Sequence, residues 1–580
     1  MNKHIGIILL LFINIPHADA RSPYRETVGF QVTWDVGYGS NVYVVGSHPD
    51  VGSWSPTNNA VKLRWTAGNV WTGQIGIQAG TVLEYKFIAR HAASNRYCDA
   101  ANVLWEPGPN RTNMVAAQPA AAYTGKTVFY YSTWTNVSIV YRDGASFTGK
   151  TMTTAGAGRF GGEYLYRVDR IGEAGEALEF VCNGYAGGGV LWDNPLYSDF
   201  NNNYYTDLDV FLLQDKQIYN YWPPATVTGP RLLTNWVNST APGIPGRNIR
   251  IYLPRGYDTN TWKRYPVLYM HDGQNIFAGS VVPGESPANQ WNLDEIATKE
   301  ISQGRMRECI IVGMDKSITN RGREYTPTND FVTGEGQGMA NQHMKFVVDN
   351  VRPTLDYNYR TLNDRGNTLV GGSSRGGLSS IYLTYDTNVF GGMLAMSPSL
   401  TRAPNYTAAL YGKAKPNARL YLDTGTDEHL QIPDADYWNK PWEGYDIFLG
   451  HGCVVNRDLL MRIGCGAGHD ELAWRARLPA ALRYLLPARE EPNALAIQEH
   501  APTMTVAQAG PAERIRFSAF ALQDQRYIVQ RTGNLTGNFW SNTVATVQRM
   551  PWGEIALTND AGEWTTPVFF RWAVSPAFDK

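Results

Sequence analysis

At 580 residues the chain is too long for a single core, and a prior of ~150 residues per domain predicts about three to five domains. Its net charge of −1 excludes the basic footprint of a nucleic-acid binder. Charged residues are sparse, whereas 18 Trp and 33 Tyr fit β-rich modules and surfaces that stack on sugar rings.

At the N-terminus, Lys3 and His4 precede an apolar run from Ile5 to Ile15, and Ala18-Asp19-Ala20 follows. A charged start, a short apolar run and a small-residue cleavage site predict a signal peptide over residues 1–20, hence a secreted or periplasmic protein. No later run approaches the ~20 apolar residues of a membrane span. The five cysteines (Cys98, Cys182, Cys309, Cys453, Cys465) form neither a disulfide framework nor a metal-ligand cluster. Cys453 and Cys465 can pair in an oxidising compartment; two buried thiols are the alternative.

From Gly29 to about Met114, short alternating runs broken by turn residues predict a β-sandwich over residues 24–115. Tyr38 sits in a Gly-flanked turn, Trp54 follows Gly52-Ser53, and Trp105 precedes Glu106-Pro107-Gly108-Pro109-Asn110-Arg111. Tryptophan on an exposed loop is costly unless it binds something. The ordered set Tyr38-Gly39-x-Asn41, Val45-Gly46-Ser47, Gly52-x-Trp54, Glu84 to Ile88 and Trp105 to Arg111 resembles the starch-binding module of carbohydrate-binding family 20. The resemblance implies a sugar-stacking platform of Trp54 and Trp105 with Lys86 and Asn110 nearby, a second site at Tyr38, and starch or a related α-glucan as partner.

Ala116 to Ala122 reads as a linker of small residues. Strand-like runs from Lys126 onward predict a second β-sandwich over residues 123–222. Its order of Tyr130-Tyr131-x-x-Trp134, Leu178-Glu179-Phe180, a Gly-rich loop and Trp192-Asp193-Asn194 is similar to starch-binding modules of family 25. That likeness implies Trp192, Phe147 and Trp134 as glucan contacts. The chain departs from it at Val140, where the family usually has a histidine.

After Trp222-Pro223-Pro224, continuous apolar runs alternate with helical patterns at 288–302, 338–354 and 377–386. The runs are Asn248–Leu253, Tyr265–Met270, Cys309–Met314, Asn367–Gly371, Gly391–Met396 and Ala418–Asp423. That alternation predicts a mostly parallel α/β sheet over residues 240–489, with reactive groups at the carboxyl ends of its strands. One such end carries Gly372-x-Ser374-x-Gly376, the spacing of a nucleophile elbow, where glycines let a serine occupy a sharp strand-to-helix turn. Downstream come Asp427-Glu428 after one strand and His469 before the last helix, the chain order Ser, acid, His of α/β-hydrolases. The histidine pair of a zinc helix is absent: His469-Asp470-Glu471 has no second histidine four residues after the first, so no cofactor or metal is expected.

His271-Asp272-Gly273-Gln274-Asn275, Arg323-Glu324-Tyr325-Thr326-Pro327, Gly371 to Gly377, Ser397-Pro398-Ser399 and Gly468-His469-Asp470-Glu471-x-x-Trp474 resemble the esterase family that includes esterase-D-like enzymes, enterochelin esterases and family 1 carbohydrate esterases. The resemblance implies an α/β-hydrolase fold. It implies Ser374 as nucleophile and His469 as general base, with the backbone N–H groups of Arg375 and Gln274 as oxyanion donors. Glu428 matches the family's acid position counted from Gly425, and Asp427 is the near alternative. Arg321, Arg323 and Glu324 line the pocket or form a structural ion pair.

Short strand-like runs between Arg514 and Trp572 predict a third small β-domain over residues 495–580, with Trp540, Trp552 and Trp564 in its core or facing sugar. The whole chain therefore reads as two N-terminal β-sandwich carbohydrate-binding modules, a central α/β-hydrolase and a small C-terminal β-domain. The leading function is a secreted serine carboxylic-ester hydrolase held on α-glucan. An acyltransferase to sugar hydroxyls and a glucan-binding protein with a vestigial hydrolase domain are the alternatives.

Overall fold

The computed structural model describes residues 25–490 apart from 58–59, 79–80, 94–96, 116–124, 174–175, 197–201, 262, 280–289 and 432–436. It also gives the backbone of strands at 8–9 and at intervals between 504 and 576. The expected signal peptide (apart from 8–9), the linker and Trp540, Trp552 and Trp564 lie outside the described residues.

Alternation of apolar residues builds the N-terminal sandwich. Strand β1 (Arg25–Thr33) lies antiparallel to β3 (Val70–Gln78), and β2 (Ser40–Gly46) lies antiparallel to β4 (Val82–His91). Val28, Phe30, Ile75 and Ile77 from the first pair meet Val42, Val44, Leu83 and Phe87 from the second, all buried. Each such side chain contributes about 1.5–3 kcal/mol on burial. The opposite face of β4 presents Lys86, Ile88 and Arg90, and β5 (Val103–Trp105) adds Trp105 as the cross-strand partner of Ile88.

That outer face is half covered by the central region. Tyr43, Val45 and Ile88 are buried with Tyr97 and Trp438, and the Arg90 guanidinium lies 3.7 Å from the centre of the Tyr97 ring. Buried Lys62 pairs with Asp446 at 2.6 Å, and Gly76 donates to the Val455 carbonyl at 2.8 Å. Sequence reading expects a disulfide, if any, between Cys453 and Cys465. The structure corrects this: Cys465 bonds Cys98 of the sandwich, 367 residues away, and Cys453 is buried outside that bond. Two cysteines distant in sequence meet only because the sandwich docks here.

Described residues between 126 and 219 form two further β-sheets around Val128, Ile139, Phe180, Tyr204 and Phe211. One sheet has the order β8-β7-β9-β10, with β7 (Thr135–Asp143), β8 (Ser146–Thr151), β9 (Leu178–Ala186) and β10 (Gly189–Asp193); β6 (Lys126–Ser132) belongs to the other. This region also packs on the centre, where the Tyr221 hydroxyl donates to Glu308 at 2.8 Å.

The central region holds an eight-stranded sheet. Its strands are β11 (Arg231–Val237), β12 (Arg247–Leu253), β13 (Val267–His271), β14 (Ile310–Met314), β15 (Thr368–Ser373), β16 (Gly392–Met396), β17 (Arg419–Gly425) and β18 (Leu459–Gly464). The spatial order is β11-β12-β14-β13-β15-β16-β17-β18; β12 runs antiparallel to both its neighbours, β11 and β14, and every other neighbouring pair is parallel. Six strands fall on the apolar runs read in the sequence, and β11 and β18 are additional. Helices α1 (Leu293–Ser302), α2 (Arg375–Asp386), α3 (Asn439–Gly450) and α4 (Glu471–Leu485) pack against the sheet. The helical pattern at 338–354 is interrupted by a π turn over Phe346–Val351. Pro353, which has no N–H to close an ordinary helical turn, follows it.

The C-terminal strands Gln525–Thr532 and Phe569–Pro576 pair antiparallel, as do Met504–Ala509 and Ala512–Phe517.

Candidate active site

Ser374 stands between β15 and α2 with φ 55° and ψ −122°, a region that a residue with a Cβ rarely occupies. The flanking glycines make this possible. A Cβ on Gly372 would come within 2.8 Å of the Gly376 backbone, and one on Gly376 within 3.0 Å of His271 Cβ. The elbow is therefore closed by contact between β15, α2 and the end of β13. Arg375 is the first residue of α2, so its N–H is one of the unpaired donors of a helix N-terminus.

The Ser374 hydroxyl lies 3.0 Å from Ser399 Oγ, which in turn bonds the Tyr437 hydroxyl at 2.5 Å. Burial raises the Tyr437 phenol pKa, against hydrogen bonds to Ser399 and Ser374 that lower it, so it stays protonated and able to donate. Its ring meets the His469 ring edge-on at 4.9 Å, and Trp474 meets His469 from another side at 5.1 Å. The His469 side chain is only 8% exposed, and the residue immediately precedes Asp470, which caps α4 by accepting from the Ala473 N–H at 3.0 Å.

His469 Nδ1 is 3.0 Å from Glu428 Oε2. A carboxylate only accepts, so Nδ1 carries the proton and Nε2 is left as the base. Glu428 is fully buried, and its other oxygen accepts from the Gly425 N–H at 2.6 Å and from the Ser397 hydroxyl. Trp474 Nε1 and Arg477 Nη2 donate to that same Ser397 hydroxyl at 2.9 and 3.1 Å. Asp427 is turned elsewhere: its carboxylate accepts from Thr426 Oγ1 at 3.0 Å. Asp423 is held inside β17 by Arg477 at 2.8 Å. Ser397, Ser399 and Tyr437 are side chains at this site whose part sequence reading misses. The Ser397-Pro398-Ser399 motif signals the first two; no local pattern marks Tyr437.

After β13 comes the turn Gly273–Asn275. Asp272 enters it with φ 57°, and a Cβ on Gly273 would lie 2.4 Å from the Gly313 carbonyl carbon. The turn is thus pressed onto β14, and the Gln274 side chain accepts from the Lys316 N–H at 2.9 Å. Asp272 pairs with Arg321 through two bonds of 2.6 and 2.7 Å. Burial disfavours its charge, but Arg321 outweighs this and holds the carboxyl below its usual range. Behind the turn, His271 donates from Nδ1 to the Gly371 carbonyl at 2.9 Å. Burial, helped by His343 at 5.3 Å, pushes its pKa down to about 3, so it is neutral. Glu324 pairs with Arg247 at 2.7 Å rather than lining the pocket, and Arg323 donates to the Gln337 carbonyl. Among the described residues no three His, Cys, Asp or Glu side chains converge as metal ligands.

The expected sugar-contacting residues divide into separate groups. Trp105 is 39% exposed, Lys86 Nζ reaches the Glu106 and Gly108 carbonyls at 3.2 and 2.6 Å, and Asn110 lies 3.5 Å from Glu84. Trp54 donates from its backbone to Gly46, at the same end of β4. Tyr38 is fully exposed at the other end, where Gly39 accepts from the Ala92 N–H at 2.8 Å. In the next sandwich Trp192 is opposite Asn183, Ser138 opposite Asn183, and Phe147 opposite Arg142. Ser138 and Arg142 are four residues apart, so Trp192 and Phe147 share one sheet face, and both are about half exposed. Trp134 does not join them; it packs against that sandwich's core.

Residues 245–508 match the family described as "Putative esterase", and residues 25–124 match the one described as "Starch binding domain". An alpha-amylase of Streptomyces violaceus is 41% identical over 88 residues, which are 15% of this chain and 14% of that protein. An endo-1,4-beta-xylanase/feruloyl esterase of Xylanibacter ruminicola is 27% identical over 202 residues, 34% of this chain and 25% of that protein. The chain thus spans a quarter or less of the length of the first curated relatives it matches. Among solved structures, a CE1 ferulic acid esterase from Anaeromyces mucronatus is 21% identical with a TM-score of 0.34, covering 47% of this chain and 95% of that one. No helix among the described residues is long and apolar enough to cross a membrane.

Proposed function

We propose that this chain, an esterase domain carried behind an N-terminal starch-binding domain, is a secreted serine carboxylic-ester hydrolase held on starch or a related α-glucan. The observation that carries the reading is the 3.0 Å bond from His469 to Glu428, with the Tyr437 ring that packs on His469 reaching the strained Ser374 through Ser399. Ser374 Oγ attacks the ester carbonyl while His469 Nε2 takes its proton, and Glu428 steadies the imidazolium that forms. The N–H groups of Arg375 and Gln274 stabilise the oxyanion, a donor of this kind contributing about 3 kcal/mol. His469 returns the proton to the departing alkoxide, and water, activated in the same way, releases the acid from the acyl-enzyme. Ser399 and Tyr437 hold the serine hydroxyl in place between turnovers.

The Cys98–Cys465 bond supports an oxidising compartment and hence the export signal read at residues 1–20. The shared exposure of Trp192 and Phe147 supports a second glucan site, and residues 495–580 are assigned as an accessory β-domain. The test is hydrolysis of 4-nitrophenyl acetate by the wild type and Ser374→Ala. The wild type should turn it over and the variant should not; equal rates would sink the proposal. Acylated sugar instead of free acid, with maltooligosaccharide present, would assign acyl transfer.

A further inference from the structure

The starch-binding domain is fastened next to His469 and next to Tyr437. Cys98 is disulfide-bonded to Cys465, four residues before His469. Trp438 Nε1 donates to the Ala92 carbonyl at 2.7 Å, and the Tyr97 ring packs on Trp438 at 5.4 Å. Trp438 follows Tyr437 directly, with about 3.8 Å between neighbouring Cα atoms, and Tyr437 reaches Ser374 through Ser399.

The exposed aromatics of the module border this seam. Ile88, buried against Trp438, is the direct cross-strand partner of Trp105. Tyr38 adjoins Gly39, whose carbonyl accepts from Ala92, the residue that also accepts from Trp438. A module on a flexible linker would only concentrate the esterase at a polymer, leaving any nearby ester within reach. A module held by a disulfide and a packed sheet face fixes the direction from its sugar platform to the serine.

We infer that the scissile ester is borne by the α-glucan itself. One glucan chain lies on Trp105 or Tyr38 at the seam and extends to Ser374, so the starch-binding domain forms part of the substrate cleft. The bond broken joins an acyl carbonyl to a sugar oxygen. The acyl group passes to Ser374 Oγ and then to water, and the sugar oxygen takes the proton held by His469. This rests on the hydrolase reading above.

Short soluble substrates separate a shared cleft from an independent anchor, because an oligosaccharide ester offers no polymer surface on which to concentrate. The full-length protein is assayed on O-acetylated maltooligosaccharides of two and of seven glucose units. The expected result is a kcat/KM about tenfold higher for the longer chain, equivalent to about 1.4 kcal/mol of added binding. Trp105→Ala or Tyr38→Ala should collapse that ratio towards one. Because the ratio is taken within each variant, general damage to folding cancels. A wild-type ratio of one, or a ratio that survives in both variants, overturns the inference and leaves the module a separate anchor. If neither sugar ester nor 4-nitrophenyl acetate is hydrolysed, the hydrolase reading fails and takes this one with it.

Discussion

Two adjacent carboxylates, Asp427 and Glu428, stand at the end of β17, and their surroundings assign them different work. Glu428 is fully buried, with His469, the Gly425 N–H and the Ser397 hydroxyl arranged around its two oxygens. Asp427 is partly exposed and accepts from its neighbour Thr426. Glu428→Gln keeps the shape but lets the amide accommodate the wrong imidazole tautomer, a change that costs about 10⁴ in kcat in a comparable triad. Steady-state hydrolysis of 4-nitrophenyl acetate should therefore fall by about 10³–10⁴-fold in Glu428→Gln. Asp427→Asn should stay within about twofold, as surface substitutions away from the reacting groups do. A large loss confined to Asp427→Asn would exchange the two roles.

At the scale of elements, the turn after β13 and the elbow after β15 depend on how closely backbones approach. Gly273→Ala would place a Cβ 2.4 Å from the Gly313 carbonyl carbon, which cannot yield as a flexible side chain can. The turn must shift, carrying the Gln274 N–H off its proposed place at the oxyanion, and kcat should fall by about 100-fold or more. An unchanged kcat would remove Gln274 from the oxyanion hole. Behind the turn, burial holds the pKa values of both His271 and His343 down. Below about pH 6.5 the unfolded chain binds protons that these folded histidines refuse, so stability falls with acidification, each contributing up to about 1.4 kcal/mol per pH unit. Asp272 is depressed instead, so its contribution is lost only below about pH 3.9, outside that window. Urea unfolding between pH 6.5 and 4.5 should show a shallower slope in His343→Gln; an identical slope would mean that His343 titrates normally. Much of this architecture was legible because it is written locally: unbroken apolar runs mark buried parallel strands, and glycine spacing marks the elbow. Glu428 and His469 were legible as residues at strand and helix ends. Tyr437 was not, because its place beside Ser399 arises from packing across 38 residues of chain and from no periodic pattern. Strand β18 ends at Gly464 and runs straight into Cys465-Gly466, which reads as loop, and β11 is an edge strand with Leu232 and Trp236 exposed, so neither resembles the continuous runs of the centre.

Across the whole molecule, the starch-binding domain and the esterase domain share a single buried cluster. Val44 and Phe87 of the sandwich belong to the same core as Leu378, Met393, Leu420 and Phe448 of the α/β region. Sequence patterning describes each domain's own core but not this union, which draws on residues as far apart in sequence as Val44 and Phe448. A shared core predicts that the two domains unfold in one calorimetric transition rather than two. The Cys98–Cys465 bond closes a loop of 367 residues and restricts the unfolded chain, a constraint that typically stabilises by about 2–4 kcal/mol. Replacing both cysteines by serine removes it without leaving a reactive thiol. The melting temperature should then drop by about 4–16 °C, given a shift of about 2–4 °C per kcal/mol for domains of 150–250 residues. The transition should remain single, because the Ile75 and Val455 backbones and the Lys62–Asp446 pair still join the domains. Two transitions in the wild type would contradict the shared core. Two transitions in the double variant alone would make the disulfide, rather than the packed face, what couples the starch-binding domain to the esterase domain.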